Sequence, residues 1–268
     1  MPALIFHIAE TVLFHVIQLI AGCLLAFAVY VLAKGKLTAL ALTGSIKLKI
    51  LTAAILSLCG TVLPLGIYGL VPLLAVLLAV GFEGFAAVAL LVSNVMFNML
   101  VPYTDPSFIW RTGIRQVVFA FLAGLLAGLL LLAVKSPASI LFRSGCLPGI
   151  PENQPAPRSA IHFLDDSFKK LGLFLVAGVL ADIVFQRYIL GKLIGLFYLN
   201  SFTAAIPMFF GTHDVSNPFF LLTFSIVYML LNLVKLSALV AILRPKGLLA
   251  YFGYYVLLAL LLSISAFV

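Results

Sequence analysis

The stretch that decides the fold reads Cys59-Gly60-Thr61-Val62-Leu63-Pro64-Leu65-Gly66-Ile67-Tyr68-Gly69-Leu70-Val71-Pro72. Long apolar runs flank it on both sides. Just downstream, residues 84–101 carry Ser93, Asn94 and Asn98 among Val, Met, Phe and Leu. Hydrocarbon offers no water to satisfy irregular backbone or an amide side chain, so such a break has to be covered by protein or line a wet cavity. The pattern points to a site near the middle of a helical membrane protein rather than to a lipid-facing helix.

Composition supports the membrane environment. The 268 residues are 64% apolar and 9% charged, with a mean hydropathy of +1.26. A water-soluble domain of this length needs far less apolar surface. Apolar runs of about 20 residues, each able to cross a hydrocarbon core about 30 Å thick, recur along the chain. The first run is too long for a cleavable leader and lacks a basic start, so no signal peptide is expected. The net charge of +8 does not imply nucleic acid, because Lys and Arg fall mainly between the apolar runs. Cys23, Cys59 and Cys146 stand far apart, with no C-x-x-C or C-x-C pair. A zinc knuckle or paired-thiol site is therefore not expected. Buried packing is the plain role for Cys23 and Cys146, less so for Cys59 in the break.

Apolar spans read at 8–33, 50–64, 66–81, 84–101 and 114–134, then at 168–189, 192–211, 217–243 and 247–267. Between the two sets lies a polar stretch, 135–165, with Pro137, Pro148, Pro151, Pro155 and Pro157. Proline at that density argues against regular structure. The expected fold is all-α: a polytopic helical membrane protein with broken helices or re-entrant hairpins and about 8–10 transmembrane segments. It divides into a first membrane repeat (1–134), a polar Pro-rich linker (135–165) and a second membrane repeat (166–268).

The repeat rests on corresponding positions. Asn98 precedes the basic turn with Arg111 and Arg115, and Asn232 precedes Arg244 and Lys246; each turn leads into a clean apolar helix. The two asparagines lie half a chain length apart, and Pro64 or Pro72 has a counterpart in Pro207. Interrupted helices at matching positions of two halves are a transporter signature. Segments 34–49 and 135–170 hold nine of the sixteen basic residues, which puts both in the cytoplasm by the positive-inside rule.

Polar residues inside the spans are few. His7, Glu10, His15 and Gln18 form one stripe of the first helix. It reads either as a proton-relay face or as an N-terminal turn with His7 and Glu10 in water. Asp182 and Gln186 are spaced i, i+4 on one face, and an ionised Asp182 needs a partner such as Arg187 or Lys235. Lys235 either snorkels or turns inward near Asn232. Glu83, between Gly81 and Gly84, reads as a turn residue. Asp105-Pro106 and Asn217-Pro218 read as helix starts with proline at the first helical position. His213 and Asp214 adjoin the second of these, in a loop. Gly124/Gly128 and Gly191/Gly195 mark close helix packing.

The run from Pro64 to Pro72 resembles the P-L-C-x-Y-G-x-[IV]-P hairpin of permeases of the ArsP/YraQ type. Ser93 and Asn98 fall where that family carries an S-S-x-x-x-N helix. Phe185-Gln186-Arg187-Tyr188 is similar to an F-Q-R-Y element of some members, and residues 232–239, with Lys235, are similar to an A-T-K-I-T region. The resemblance covers most of the chain. It implies a two-repeat permease, with members linked to export of trivalent organoarsenicals or of metal ions. Two departures weaken a thiophilic cargo. Gly66 stands where the family's hairpin has cysteine, and residues 207–217 hold no cysteine and are short for the second hairpin.

The expected function is that of an integral membrane permease in the bacterial cytoplasmic membrane. It is a secondary transporter or exporter of a small solute, metal or metalloid species through a site between the repeats. The pathway residues are Cys59, Thr61, Tyr68, Ser93, Asn94, Asn98, Asn232 and Lys235; the ion- or proton-coupling candidates are His7, Glu10, His15, Asp182 and Gln186. Asn98→Ala and Asn232→Ala are each expected to abolish flux and leave folding intact. The alternative is a non-transporting accessory or scaffold subunit. An enzyme is not expected: H-E-x-x-H and paired aspartate motifs are missing, with Asp165 and Asp166 assigned to the linker, and no Walker motif points to ATP. No cofactor is expected, and the partners are the lipid bilayer, a small solute or ion, and further copies of the chain in a homo-oligomer.

Overall fold

The computed structural model describes residues 2–33, 45–63, 65–97, 106–134, 138–143, 160–185 and 232–266. All regular structure among them is helical, apart from one isolated bridge. In chain order the helices are α1 (Pro2–Ala33), α2 (Ile46–Val62), α3 (Gly66–Ala79), α4 (Gly84–Phe97), α5 (Pro106–Val134), α6 (Ala138–Leu141), α7 (Ala160–Val184), α8 (Leu233–Ile242) and α9 (Pro245–Ala266).

Two segments, Ile8–Leu32 in α1 and Val117–Val134 in α5, are long and apolar enough to cross a membrane. Only 22% and 28% of these windows is buried, so neither is the central helix of a soluble core. Their outer faces show Leu13, Ile17 and Leu24 on α1 and Val118, Leu122 and Leu126 on α5, at helical spacing. The inner helix is α3, where every residue from Gly66 to Leu77 is buried. It packs against α1 and α4, and α4 packs against α2 and α5.

Small residues permit these contacts. A Cβ on Gly22 of α1 would lie 1.9 Å from the Gly69 carbonyl oxygen of α3. On α5, a Cβ on Gly124 would meet the Ala89 carbonyl and the Ser57 hydroxyl at 2.6 Å, and one on Gly128 would lie 3.0 Å from Phe85 O. The Gly124/Gly128 pair therefore marks close packing, as its spacing predicts. Gly191 and Gly195 lie outside the described residues.

Three expectations change. The irregular stretch is narrower than 59–72: α2 runs through Val62, α3 starts at Gly66, and Pro72 sits inside α3. The polar stretch 135–165 holds helix at both ends, α6 and the start of α7. Asp165 and Asp166 are thus helical, and each pairs with a lysine one turn on, Lys169 and Lys170. Proline punctuates only the residues near it, and an i, i+4 acid–base pair sustains helix outside that reach. Glu83 does sit in the turn before α4, where it pairs with Lys49 of α2. Pro106 does open α5, while Asn217, Pro218, His213 and Asp214 lie outside the described residues.

Candidate functional site

The expected pathway residues separate into two groups. The first surrounds the end of α2. Asn94 Nδ2, fully buried on α4, donates to the carbonyl oxygens of Gly60 (3.0 Å) and Leu63 (2.8 Å). The last carbonyls of a helix have no partner within it, and one amide here serves two of them. Ser93 donates to Leu90 O of its own helix (3.1 Å), and Thr61 to Leu58 O (2.7 Å). A Cβ on Gly60 would lie 2.0 Å from Ser93 Oγ and 2.6 Å from Leu90 O, which draws α2 and α4 together. Cys59, half-buried and a free thiol, sits beside this cluster in sequence. The hydrogen bonds named here all run to backbone, so the group supports the end of α2.

The second group gathers where α1, α3, α7 and α8 meet. Tyr68, fully buried on α3, has its hydroxyl 2.7 Å from Ser237 Oγ on α8. Ser237 donates its single proton to Val234 O (2.8 Å), so Tyr68 is the donor of the pair. The ring of His15 on α1 stands 5.7 Å from the Tyr68 ring, centroid to centroid. His15 Nδ1 is 2.9 Å from Gln18 Oε1, which assigns the ring proton on that side to Nδ1. Gln18 lies over the start of α3, where Gly66 has φ +59° and its Cβ would approach the Gln18 amide to 2.4 Å. That left-handed backbone favours glycine.

The start of α8 is held by two side chains. Asn232 is its N-cap and accepts from the Lys235 N–H (2.9 Å). Asp182, reaching from α7 and 2% exposed, accepts from the Leu233 N–H (3.0 Å). A carboxylate at a helix start is favoured by both the orphan N–H groups and the helix dipole. The Lys235 ammonium acts electrostatically on Asp182 and on His15. Lys235 is thus turned inward, one of the two orientations its sequence position leaves open. On α7, Gly178 lets α8 approach, since a Cβ there would lie 2.0 Å from Ser237 Oγ.

Of the expected site residues, the structure brings together Tyr68, Asn232, Lys235, Asp182 and His15. It sets Thr61, Ser93 and Asn94 apart as support for the break. The stripe on α1 divides: Glu10 is exposed, while His15 and Gln18 turn inward. The side chain of His7, and Asn98, Gln186 and Arg187, lie outside the described residues. The expectation that Asn232→Ala leaves folding untouched changes, because Asn232 caps α8 and loss of such a cap costs about 1 kcal/mol. Ser237 and Gln18 complete the site. Gln18 belongs to the stripe read on the first helix, whereas Ser237 was not expected, its one signal being a hydroxyl in an apolar helix. Among the described residues, no three His, Cys, Asp or Glu side chains converge to hold a metal ion.

No family model, curated protein or solved structure matches this chain.

Proposed function

We propose that this chain is a polytopic permease of the ArsP/YraQ type, built of two repeats in a bacterial cytoplasmic membrane. It carries a small solute, metal or metalloid species past the polar group around Tyr68 and Asp182. The observation that carries this reading is that group itself: His15, Tyr68, Asp182, Asn232, Lys235 and Ser237 converge from both halves of the chain. Ionisable side chains buried among apolar helices are costly and are kept chiefly for function. They collect at the starts of α3 and α8, and helices that begin inside the protein are where transporters hold cargo and coupling ions.

The outward apolar faces of α1 and α5 support a lipid surrounding. Asp182 and Lys235 are the coupling pair: Asp182 accepts from the α8 start with the Lys235 charge acting on it, so a proton on Asp182 weakens both interactions. Transport is then driven by an ion gradient.

The test compares cells with and without the gene under a panel of arsenicals, divalent metals and oxyanions. At least one survival difference is expected, and Asp182→Asn at unchanged membrane abundance is expected to remove it. Equal survival throughout, with no flux of any panel member in vesicles reconstituted with the purified chain, overturns the reading.

A further inference from the structure

Away from the polar group, a cleft of about 380 Å³ opens between α4, α5 and α9. Val88 and Val92 on α4, Ala127 and Leu131 on α5, and Tyr251 on α9 form its wall, and Lys246 lines it near the start of α9. Among the described residues no acidic side chain lines it. The volume falls within the roughly 300–1,000 Å³ of sites that hold small organic ligands.

The Lys246 end is fixed by a backbone joint. Phe142, just after α6, pairs antiparallel with Leu243, between α8 and α9. The Arg143 N–H donates to Ile242 O (2.9 Å), the Arg244 N–H to Leu141 O (2.8 Å), and Arg143 Nε to Leu243 O (3.0 Å). Gly247 presses on the same turn, since a Cβ there would lie 2.4 Å from Leu141 O. This joint sets Arg143 and Arg244 next to Leu141 and Leu243, which line the cleft together with Lys246. Val134, where the apolar span of α5 ends, lines the same cleft as Lys246. Arg143 also belongs to the basic segment 135–170, which the positive-inside rule assigns to the cytoplasmic side.

We propose that this cleft seats one anionic phospholipid of the cytoplasmic leaflet. An acyl chain lies against Val88, Val92, Ala127 and Leu131, and the phosphate meets Lys246, with Arg143 and Arg244 adding positive charge. The proposal rests on the membrane reading above. Two independent features select this occupant. The apolar wall has nothing to offer a free phosphate, and the basic edge favours a headgroup with net negative charge over one whose phosphate is balanced by its own ammonium. Basic pockets between helices on the cytoplasmic side suit anionic headgroups, because that leaflet is rich in them.

The test uses the purified full-length chain, with lipid retention read by native mass spectrometry. Phosphatidylglycerol and phosphatidylcholine of identical acyl chains are offered in turn. A preference for phosphatidylglycerol of at least about five-fold is expected, the effect of one basic side chain near a phosphate. Lys246→Glu is expected to abolish that preference, and Lys246→Gln to reduce it should charge reversal prevent folding. Ala250→Trp, on the cleft wall, is expected to weaken retention of both lipids. Equal retention of the two lipids by the unaltered chain, or an unchanged preference in Lys246→Gln, overturns the proposal. Displacement of phosphatidylglycerol by millimolar inorganic phosphate also overturns it, as would a second protein copy occupying the cleft. Recovery of the chain in the soluble fraction of lysed cells sinks the membrane reading itself. A membrane-bound chain with no headgroup preference sinks only the lipid site.

Discussion

The two polar groups have similar ingredients and opposite designs. Around Asn94 the partners are backbone carbonyls of Gly60 and Leu63 in the same half of the chain. Around Tyr68 the partners are side chains and helix starts drawn from α1, α3, α7 and α8, with a carboxylate and an ammonium among them. The first group supports the end of one helix through bonds to backbone. The second spends its bonds between separate elements, so a change of charge there bears on how α3, α7 and α8 meet. Polarity inside an apolar helix therefore does not identify a pathway; the partner does.

That contrast breaks most sharply at Gly60. Gly60→Ala drives a Cβ into Ser93 Oγ and Leu90 O. It is expected to destabilise the protein by about 3 kcal/mol, the upper part of the overpacking range. Thermal unfolding in detergent measures it. Asn94→Ala strips both carbonyls of α2 of their buried donor and is expected to cost about 2 kcal/mol. Flux per folded molecule should be unchanged; a selective loss of flux would return Asn94 to the pathway.

Asp182→Asn tests the other design. The amide oxygen still accepts from Leu233, so the stability change is expected to stay near 1 kcal/mol. Transport is expected to vanish, and full transport with Asn would break the comparison outright. Ser237→Ala removes the acceptor of Tyr68 across the halves and is expected to cost about 1 kcal/mol or less, because that hydroxyl also bonds its own helix. The smallest effect is expected at Lys49→Ala, whose partner Glu83 is part-exposed. Pairs of that kind contribute about 0.5 kcal/mol, a shift that high salt should erase.

Much of the fold was legible because it follows local rules. Pro106 at a helix start, the turn at Gly81 and Glu83, and the Gly124/Gly128 contact each depend on a few neighbouring residues. The break was overestimated for a related reason. Gly69 and Pro72 look like helix breakers in isolation, yet in a buried helix Gly69 serves contact with α1, and Pro72 forfeits one backbone bond that the surrounding packing outweighs. The site was legible only in part. Asp182, Lys235 and Asn232 stand out as polar residues in apolar runs. The pairing of Tyr68 with Ser237, 169 positions apart, depends on how helices dock, and no local pattern encodes it. Asn94 shows the converse: its residue type is conspicuous, but its task was settled by the neighbouring helix end.

Gly66 has a consequence for what substitutions the chain can accept. A cysteine at that position would need the left-handed backbone, at roughly 1–2 kcal/mol for a side chain bearing a Cβ. It would also strike the Gln18 amide. A thiol therefore cannot enter this turn by one substitution without penalty; Gln18 on α1 has to shrink or swing away in the same step. Two helices distant in sequence are thereby mutually contingent: a side chain at position 66 of α3 is possible only with a change at position 18 of α1.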